Sequence, residues 1–128
     1  MLKSLTPNLM VNDAEETIEY YTDILGFTLL RTVPEKGELD WAMVKKNDVL
    51  MMFQSSKSLK NNLPRLKGEK PGGGLTFYIK VDGVSLLHDE LLENGAELIS
   101  ELESTFYDTL EFSIVDVNGY VLTFSEEQ

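Results

Sequence analysis

The stretch LTFYIKV at residues 75–81 decides the fold, because it repeats the pattern of LTPNLMV at residues 5–11. In both stretches apolar and polar residues alternate with the period of two that indicates a strand with one face on a core. The first strand is therefore predicted at about 4–11, with Leu5, Leu9 and Val11 facing a helix, and its counterpart is predicted at 75–81.

A helix is predicted after each of these strands. Asp13, with Glu16 three residues later, forms the capping box of a helix start, and Gly26 is suited to end that helix. The second helix ends at Asn94-Gly95. Spacings of three and four residues give each helix one apolar face, formed by Ala14, Ile18, Tyr21 and Leu25 in the first and by Val84, Leu87 and Leu91 in the second.

Three strands follow each helix, so the chain reads as a duplicated βαβββ module of the α+β class. They are predicted at about 27–33, 39–45 and 49–54 and again at about 96–103, 109–115 and 120–125. We expect one domain over 1–128, with module one at about 4–54, a linker at 55–74 and module two at about 75–126. Leu59, Leu63 and Leu66 are spaced so that a short helix can form within the linker.

Composition excludes several classes of function. The chain has no cysteine, which removes disulfides and thiolate chemistry. A net charge of −11 argues against binding to nucleic acid. No apolar run approaches the ~20 residues of a membrane span, and no signal sequence precedes the first strand, so we expect a cytoplasmic protein without a membrane partner. The linker differs from the rest of the chain in charge, because its basic residues give it a net charge of +4. It is either a solvated segment or a contact surface.

Three motifs carry a resemblance to a known family. A Val-x-Asp step leads into a helix that ends in Tyr20-Tyr21-x-x-x-Leu25-Gly26-Phe27, which resembles the first-module signature of the glyoxalase, bleomycin-resistance and extradiol dioxygenase superfamily. Residues 73–82 and 111–124 are similar to its second-module strand and closing hairpin, although Val117 stands where the family's turn commonly has proline. The resemblance implies an eight-stranded, cup-like mixed sheet with helices on its outer face, a ligand inside the cup and a homodimer.

Alternation along the strands predicts which side chains would enter the cup. Trp41 and Met43 share a face of their strand that would suit either side, and Phe106 and Tyr107 are expected near its rim. A mostly apolar wall with a few polar anchors is typical of a small-molecule site. The predicted ligand-binding residues are Asn8, Met10, Trp41, Met43, Met52, Gln54, Tyr78, Phe106, Tyr107, Glu111, Ser113 and Thr123.

The resemblance also implies where a metal would bind, at Thr6, Met52, Thr76 and Thr123. A hydroxyl is a poor ligand for a divalent transition metal and a thioether prefers soft metals, so we expect neither a metal nor another cofactor. The only histidine, His88, falls within the second helix and is expected to be solvated or satisfied there.

Glu111 is the one carboxylate that alternation places in the cup, and it is the only candidate for a catalytic group. Among apolar neighbours its pKa is expected to rise by desolvation, which would suit a general acid or base. Alternatively it pairs with Lys80 or Arg31, orients Asn8, or recognises a polar or cationic group of a ligand.

Three functions remain open at this point. The leading hypothesis is a non-catalytic, metal-independent protein that holds an aromatic or cationic small molecule. The alternative is a lyase, isomerase or dioxygenase of the glyoxalase type, which would use an unrecognised metal site or Glu111 as acid and base. The third is an interaction module that makes contact through the basic linker.

Overall fold

A computed structural model describes residues 1–128, which form two compact units, Met1–Pro71 and Gly72–Gln128. Each unit is one βαβββ module. None of the helices is long and apolar enough to cross a lipid bilayer. The elements are β1 (Asn8–Val11), α1 (Ala14–Glu19), β2 (Thr28–Val33), β3 (Trp41–Lys46), β4 (Val49–Ser55), α2 (Ser56–Asn62), β5 (Thr76–Lys80), α3 (Val84–Asn94), β6 (Glu97–Ser104), β7 (Thr109–Val115) and β8 (Val121–Glu127).

The first unit is a mixed four-stranded sheet in the order β1-β4-β3-β2, with β1 parallel to β4 and the other pairs antiparallel. The prediction that β1 begins near residue 4 is wrong. Pro7 has no N–H to give to the ladder, although its carbonyl accepts the amide of Met52 at 2.9 Å. Regular pairing therefore starts at Asn8, and Leu5, expected under the helix, is 89% exposed.

Helix α1 begins at the predicted cap, where Asp13 Oδ1 accepts the amide of Glu16 at 3.0 Å. The helix continues as π-helical turns over Tyr20–Ile24 and ends at Gly26, whose φ of 79° favours glycine. Tyr21, fully buried, packs against Phe53 of β4 with ring centroids 4.6 Å apart. One face of the sheet is therefore closed by α1, as the apolar spacing predicts.

The second unit repeats this topology strand for strand, in the order β5-β8-β7-β6. The two sheets have the same strand order, and the first strand of each unit is parallel to the last, which confirms the duplication. Helix α3 covers one face, where Leu91 is buried and Phe112 stacks on Phe124 at 5.1 Å. The eight predicted strands are thus present as two four-stranded mixed sheets.

The basic segment 55–74 contains a short helix, α2, but of the three leucines whose spacing predicted it only Leu59 lies in the helix. Leu63 follows the helix and is 53% exposed, and Leu66 belongs to a 3-10 turn at Pro64–Leu66. Leu59 anchors α2, since it is buried with 6% of its surface exposed. Gly72 packs closely on the Asn118–Gly119 turn of its own unit, since a Cβ at this position would lie 2.6 Å from the carbonyl oxygen of Asn118. This end of the segment is therefore packed rather than loose.

Candidate functional site

Each sheet has a face turned away from α1 or α3, which we call its distal face. In the first unit Leu9, Val11, Ala42, Val44 and Phe53 are buried, and the residues that alternate with them form the distal face. All six predicted site residues of this unit lie on it: Asn8, Met10, Trp41, Met43, Met52 and Gln54.

Strand register settles the position of Trp41 and Met43, which the sequence left open. Met43 lies directly opposite Met52, and Trp41 lies opposite Gln54, so the two are distal. Thioethers and an indole thus give this face a broad apolar surface.

Polar groups on the same face are linked to each other. Asn8 Nδ2 donates to Gln54 Oε1 at 2.9 Å, and Gln54 Nε2 donates to Ser58 Oγ of α2, also at 2.9 Å. Gln54 is buried, and these bonds fix its amide in one orientation. The side chain of Asn8 is thus oriented by Gln54.

Glu111, on the distal face of the second unit, is held by four hydroxyl groups. Its Oε2 accepts hydrogen bonds from Tyr78 Oη, from Thr109 Oγ1 at 2.9 Å and from Ser125 Oγ at 2.9 Å. Its Oε1 accepts one from Tyr107 Oη at 2.8 Å. The hydroxyls come from three of the four strands of the second sheet, β5, β7 and β8, and from the β6–β7 turn.

The expected rise in the pKa of Glu111 is wrong. Burial raises the pKa of this carboxyl, but the hydrogen bonds from Tyr78, Tyr107, Ser125 and Thr109 outweigh burial and bring it below its usual value. Glu111 is therefore an anion at neutral pH and is poorly suited to act as a general acid.

The expected ion pair between Lys80 and Glu111 is not formed. Lys80, the only basic residue of the second unit, pairs instead with Glu127 at 3.8 Å, and Arg31 belongs to the first unit. Within its own unit, the half-buried carboxylate of Glu111 is thus stabilised by neutral donors and has no counterion.

The remaining predicted residues of the second unit lie around this group. Ser113 Oγ and Thr123 Oγ1 are 2.7 Å apart on neighbouring strands of the same face. Phe106, 96% exposed, meets the ring of Tyr107 edge-on at 5.0 Å. Both aromatic residues belong to the β6–β7 turn.

Two donors to Glu111, Thr109 and Ser125, are not among the predicted ligand-binding residues. Alternation could have found both, since Thr109 is two residues before Glu111 and Ser125 two residues after Thr123. With Tyr78 they also line a pocket of about 530 Å³ in the second unit. The carboxylate network therefore borders a space of small-molecule size.

The charge of the protein is divided unequally between the units. The second unit has one basic residue, Lys80, and twelve acidic ones, which gives it a net charge of −11. The first unit has ten of each sign and is neutral. The whole net charge thus lies on the unit that contains Glu111.

The residues at the family's metal positions do not fit a divalent metal. In the second unit Thr123 is paired with Ser113 and Thr76 is exposed; in the first, Thr6 and Met52 offer a hydroxyl and a thioether. No group of three or more histidine and acidic residues converges as metal ligands would.

His88 lies in α3, away from the distal face. Its ring was expected to be solvated or fully hydrogen-bonded, but one ring nitrogen is neither. Its ring packs edge-on against Phe112 at 5.2 Å, and Nδ1 is 3.0 Å from Asp89 Oδ1. Its Nε2 is buried without a hydrogen-bond partner. His88 is part of the packing between α3 and the sheet.

Comparison with known proteins gives consistent matches over the whole chain. Residues 3–124 match the family model described as the Glyoxalase/Bleomycin resistance protein/Dioxygenase superfamily. A bleomycin resistance protein of Geobacillus stearothermophilus is 26% identical over 135 positions, covering 99% of this chain and 98% of the relative.

Solved structures share the fold. A glyoxalase/bleomycin resistance protein/dioxygenase from Nocardioides matches with a TM-score of 0.80 and 19% identity, over 99% of this chain and 85% of its own. TnmS3, an antibiotic binding protein from Streptomyces sp. CB03234, matches with a TM-score of 0.77 and 19% identity, over 100% of this chain and 98% of its own.

Proposed function

Because this chain belongs to the Glyoxalase/Bleomycin resistance protein/Dioxygenase superfamily, we propose that it binds a small aromatic or cationic molecule without catalysis and without a metal. The observation that carries the proposal is the carboxylate of Glu111, ionised, fixed by four hydroxyls and lacking a counterion. A ligand cation would supply the missing charge. The name of the antibiotic binding protein and those of the bleomycin resistance proteins support a ligand of this kind.

Electrostatics favours a cation at this site. The electric field of a unit with a net charge of −11 raises the local concentration of cations and speeds their association. A desolvated carboxylate then gains more from a cation than an exposed one does. Both effects act at Glu111, which is half-buried in the acidic unit.

We further propose that the distal face of the first unit binds a flat apolar group. Trp41, Met43 and Met52 are half-buried and share this face, and methionine adapts to ligands of different shape.

We also propose that the protein is cytoplasmic and forms a homodimer. Light scattering of the purified protein tests the oligomeric state.

The enzyme alternative receives less support. A glyoxalase-type metal mechanism needs ligands that Thr6, Met52, Thr76 and Thr123 do not provide. A metal-free mechanism would need a carboxyl poised near neutral pH, whereas the pKa of Glu111 lies below its usual value.

The proposal is tested by titrating metal-free bleomycin into the protein by isothermal titration calorimetry, while the fluorescence of Trp41, the only tryptophan, reports on the first unit. If bleomycin produces no heat of binding, other cationic aromatic antibiotics are titrated in the same way. We expect saturable binding that a chelator does not alter. Glu111→Gln should weaken the affinity about tenfold, since an isosteric amide removes the charge.

Glu103→Gln is the matched control, because Glu103 faces Glu111 across the strands, carries the same charge and makes no hydrogen bond to this network. It should change the affinity less than about twofold. Equal losses in the two variants would mean that only the general field attracts the ligand. An unchanged affinity in Glu111→Gln would remove Glu111 from the site.

A further inference from the structure

The two oxygens of Glu111 differ in how fully they are occupied. Oε2 accepts three hydroxyl donors, from Tyr78, Thr109 and Ser125. Oε1 accepts one, from Tyr107. A carboxylate offers about four lone-pair directions in all, so Oε2 is saturated, and Oε1, whose one donor is the Tyr107 hydroxyl, is the oxygen at which a ligand donor can replace a protein donor.

The donor to Oε1 is also the one whose departure frees an oxygen. Tyr78 and Tyr107 are each about half exposed, at 51% and 50%, whereas Thr109 and Ser125 are buried. If Tyr78 turned away, Oε2 would still accept from Thr109 and Ser125, but if Tyr107 turned away, Oε1 would have no donor. Tyr107 also belongs to the turn between β6 and β7 rather than to a strand.

The surroundings of Oε1 determine which cation fits. Tyr78 and Tyr107 both reach the carboxylate with their hydroxyl groups, not with the faces of their rings. A quaternary ammonium has no N–H and is recognised chiefly by ring faces. A primary ammonium has three N–H donors, which match a cluster of carboxylate and hydroxyl oxygens.

We infer that Glu111 Oε1 is the attachment point for a primary ammonium group of the ligand, and that this group displaces the hydroxyl of Tyr107. The inference rests on the proposed function and names the chemical class that its site selects. Tyr107 occupies the position of the ligand's donor when no ligand is bound, and so acts as a specificity-determining residue.

The test compares two probes of equal charge with the same ring, benzylammonium and benzyltrimethylammonium, by NMR titration of the backbone amides of β7 and the β6–β7 turn. We expect benzylammonium to bind about tenfold more tightly, because only it can donate to Oε1. The wild-type protein, Glu111→Gln, Tyr107→Phe and Tyr78→Phe are titrated with both probes.

Tyr107→Phe gives the sharpest prediction. It removes the hydroxyl that the ligand must displace, so benzylammonium should bind about two- to tenfold more tightly than to the wild type. Tyr78→Phe, which removes a donor to the other oxygen, should not tighten binding. Weaker binding in Tyr107→Phe would overturn the displacement and make the phenol a direct contact of the ligand.

The outcomes separate this inference from the proposed function. If both probes bind equally and Glu111→Gln abolishes both, the cation site stands and the selection of a primary ammonium is wrong. If neither probe shifts any resonance of β7, or if Glu111→Gln leaves the affinity for both probes unchanged, Glu111 does not bind a cation. Both the proposed function at Glu111 and this inference would then be wrong.

Discussion

Glu103 and Glu111 face each other across β6 and β7, yet only Glu111 is enclosed by hydroxyl donors. Two carboxylates in nearly the same position on a sheet therefore have different chemistry. Glu103 is exposed, and water can stabilise its charge. The charge of Glu111 depends on the fold, which links this residue to stability as well as to the proposed ligand binding.

The contribution of Glu111 to stability should depend on pH. Its pKa in the folded state lies below the ordinary value of 4.5, so the folded state favours the ionised form. This stabilisation is fully present above the unfolded-state pKa and is lost as the pH falls through the folded-state pKa. Urea unfolding from pH 7 to pH 3 should show Glu111→Gln less stable than Glu103→Gln at pH 7, with the difference shrinking below about pH 4. A difference that is constant with pH would refute the lowered pKa.

Tyr107 should ionise at an unusually high pH. Its hydrogen bond to Glu111, with a smaller effect of burial and the repulsion from that carboxylate, raises the pKa of the phenol above 10.0. The difference in ultraviolet absorbance between the wild type and Tyr107→Phe isolates this group from the four other tyrosines. In Glu111→Gln the pKa of Tyr107 should fall, since the charged acceptor is gone. If the pKa of Tyr107 is the same in the wild type and in Glu111→Gln, the hydrogen bond to Glu111 is not what raises it.

Glu126 should stabilise the start of α3. Its two oxygens accept the amides of Gly83 and Val84 at 2.9 and 3.1 Å, and these bonds lower the pKa of its carboxyl. Glu126→Gln should lower the melting temperature at pH 7 and have less effect at pH 3, because the bonds weaken as the carboxylate is protonated. Glu127→Gln is the control: Glu127 pairs only with exposed Lys80, and such pairs contribute little. A larger loss in Glu127→Gln would contradict this role of Glu126.

Gly72 and Gly73 should respond very differently to alanine. A Cβ at Gly72 would lie 2.6 Å from the carbonyl oxygen of Asn118, and its φ of 91° is strained for alanine. Gly73 has ordinary φ and open space around it. Chemical unfolding should show Gly72→Ala destabilised by about 2 kcal/mol or more and Gly73→Ala nearly unchanged. Equal stability of the two variants would mean that the contact with the Asn118 turn does not hold in solution.

Replacing His88 by leucine should leave the protein as stable or make it more stable, by up to about 1 kcal/mol. The substitution removes a buried ring nitrogen that has no partner and keeps an apolar group against Phe112. Asp89→Asn controls for the loss of the exposed contact with Nδ1. A marked loss of stability in His88→Leu, absent in Asp89→Asn, would show that Nε2 has a partner, such as a buried water.

Most of the fold could be predicted because it depends on local patterns. The period of two along residues 75–81 and the apolar spacing of α3 reflect which face of each element is buried. The start of β1 was missed because alternation extends through Pro7, whereas the hydrogen-bond ladder does not. Alternation reports side-chain direction and is insensitive to missing amide donors.

The candidate site was only partly predictable. Alternation placed Glu111, Ser113 and Thr123 on one face, but the sign of the pKa shift at Glu111 depends on how many donors reach it. Tyr107 comes from a turn, where no periodicity applies, and Tyr78 comes from β5 at the opposite edge of the sheet from β6. The sequence therefore suggested a desolvated carboxylate, whereas tertiary structure supplies four hydrogen bonds.

The unequal division of charge would make the arrival and the departure of the proposed cationic ligand respond to different variables. Such a cation would approach the second unit through a long-range field, which salt screens beyond about 8 Å at physiological ionic strength. In the proposed complex Glu111 would hold it over hydrogen-bond distances, which screening hardly affects. Salt should therefore slow association and leave the residence time almost unchanged. Substitution at Glu111 should instead shorten the residence time.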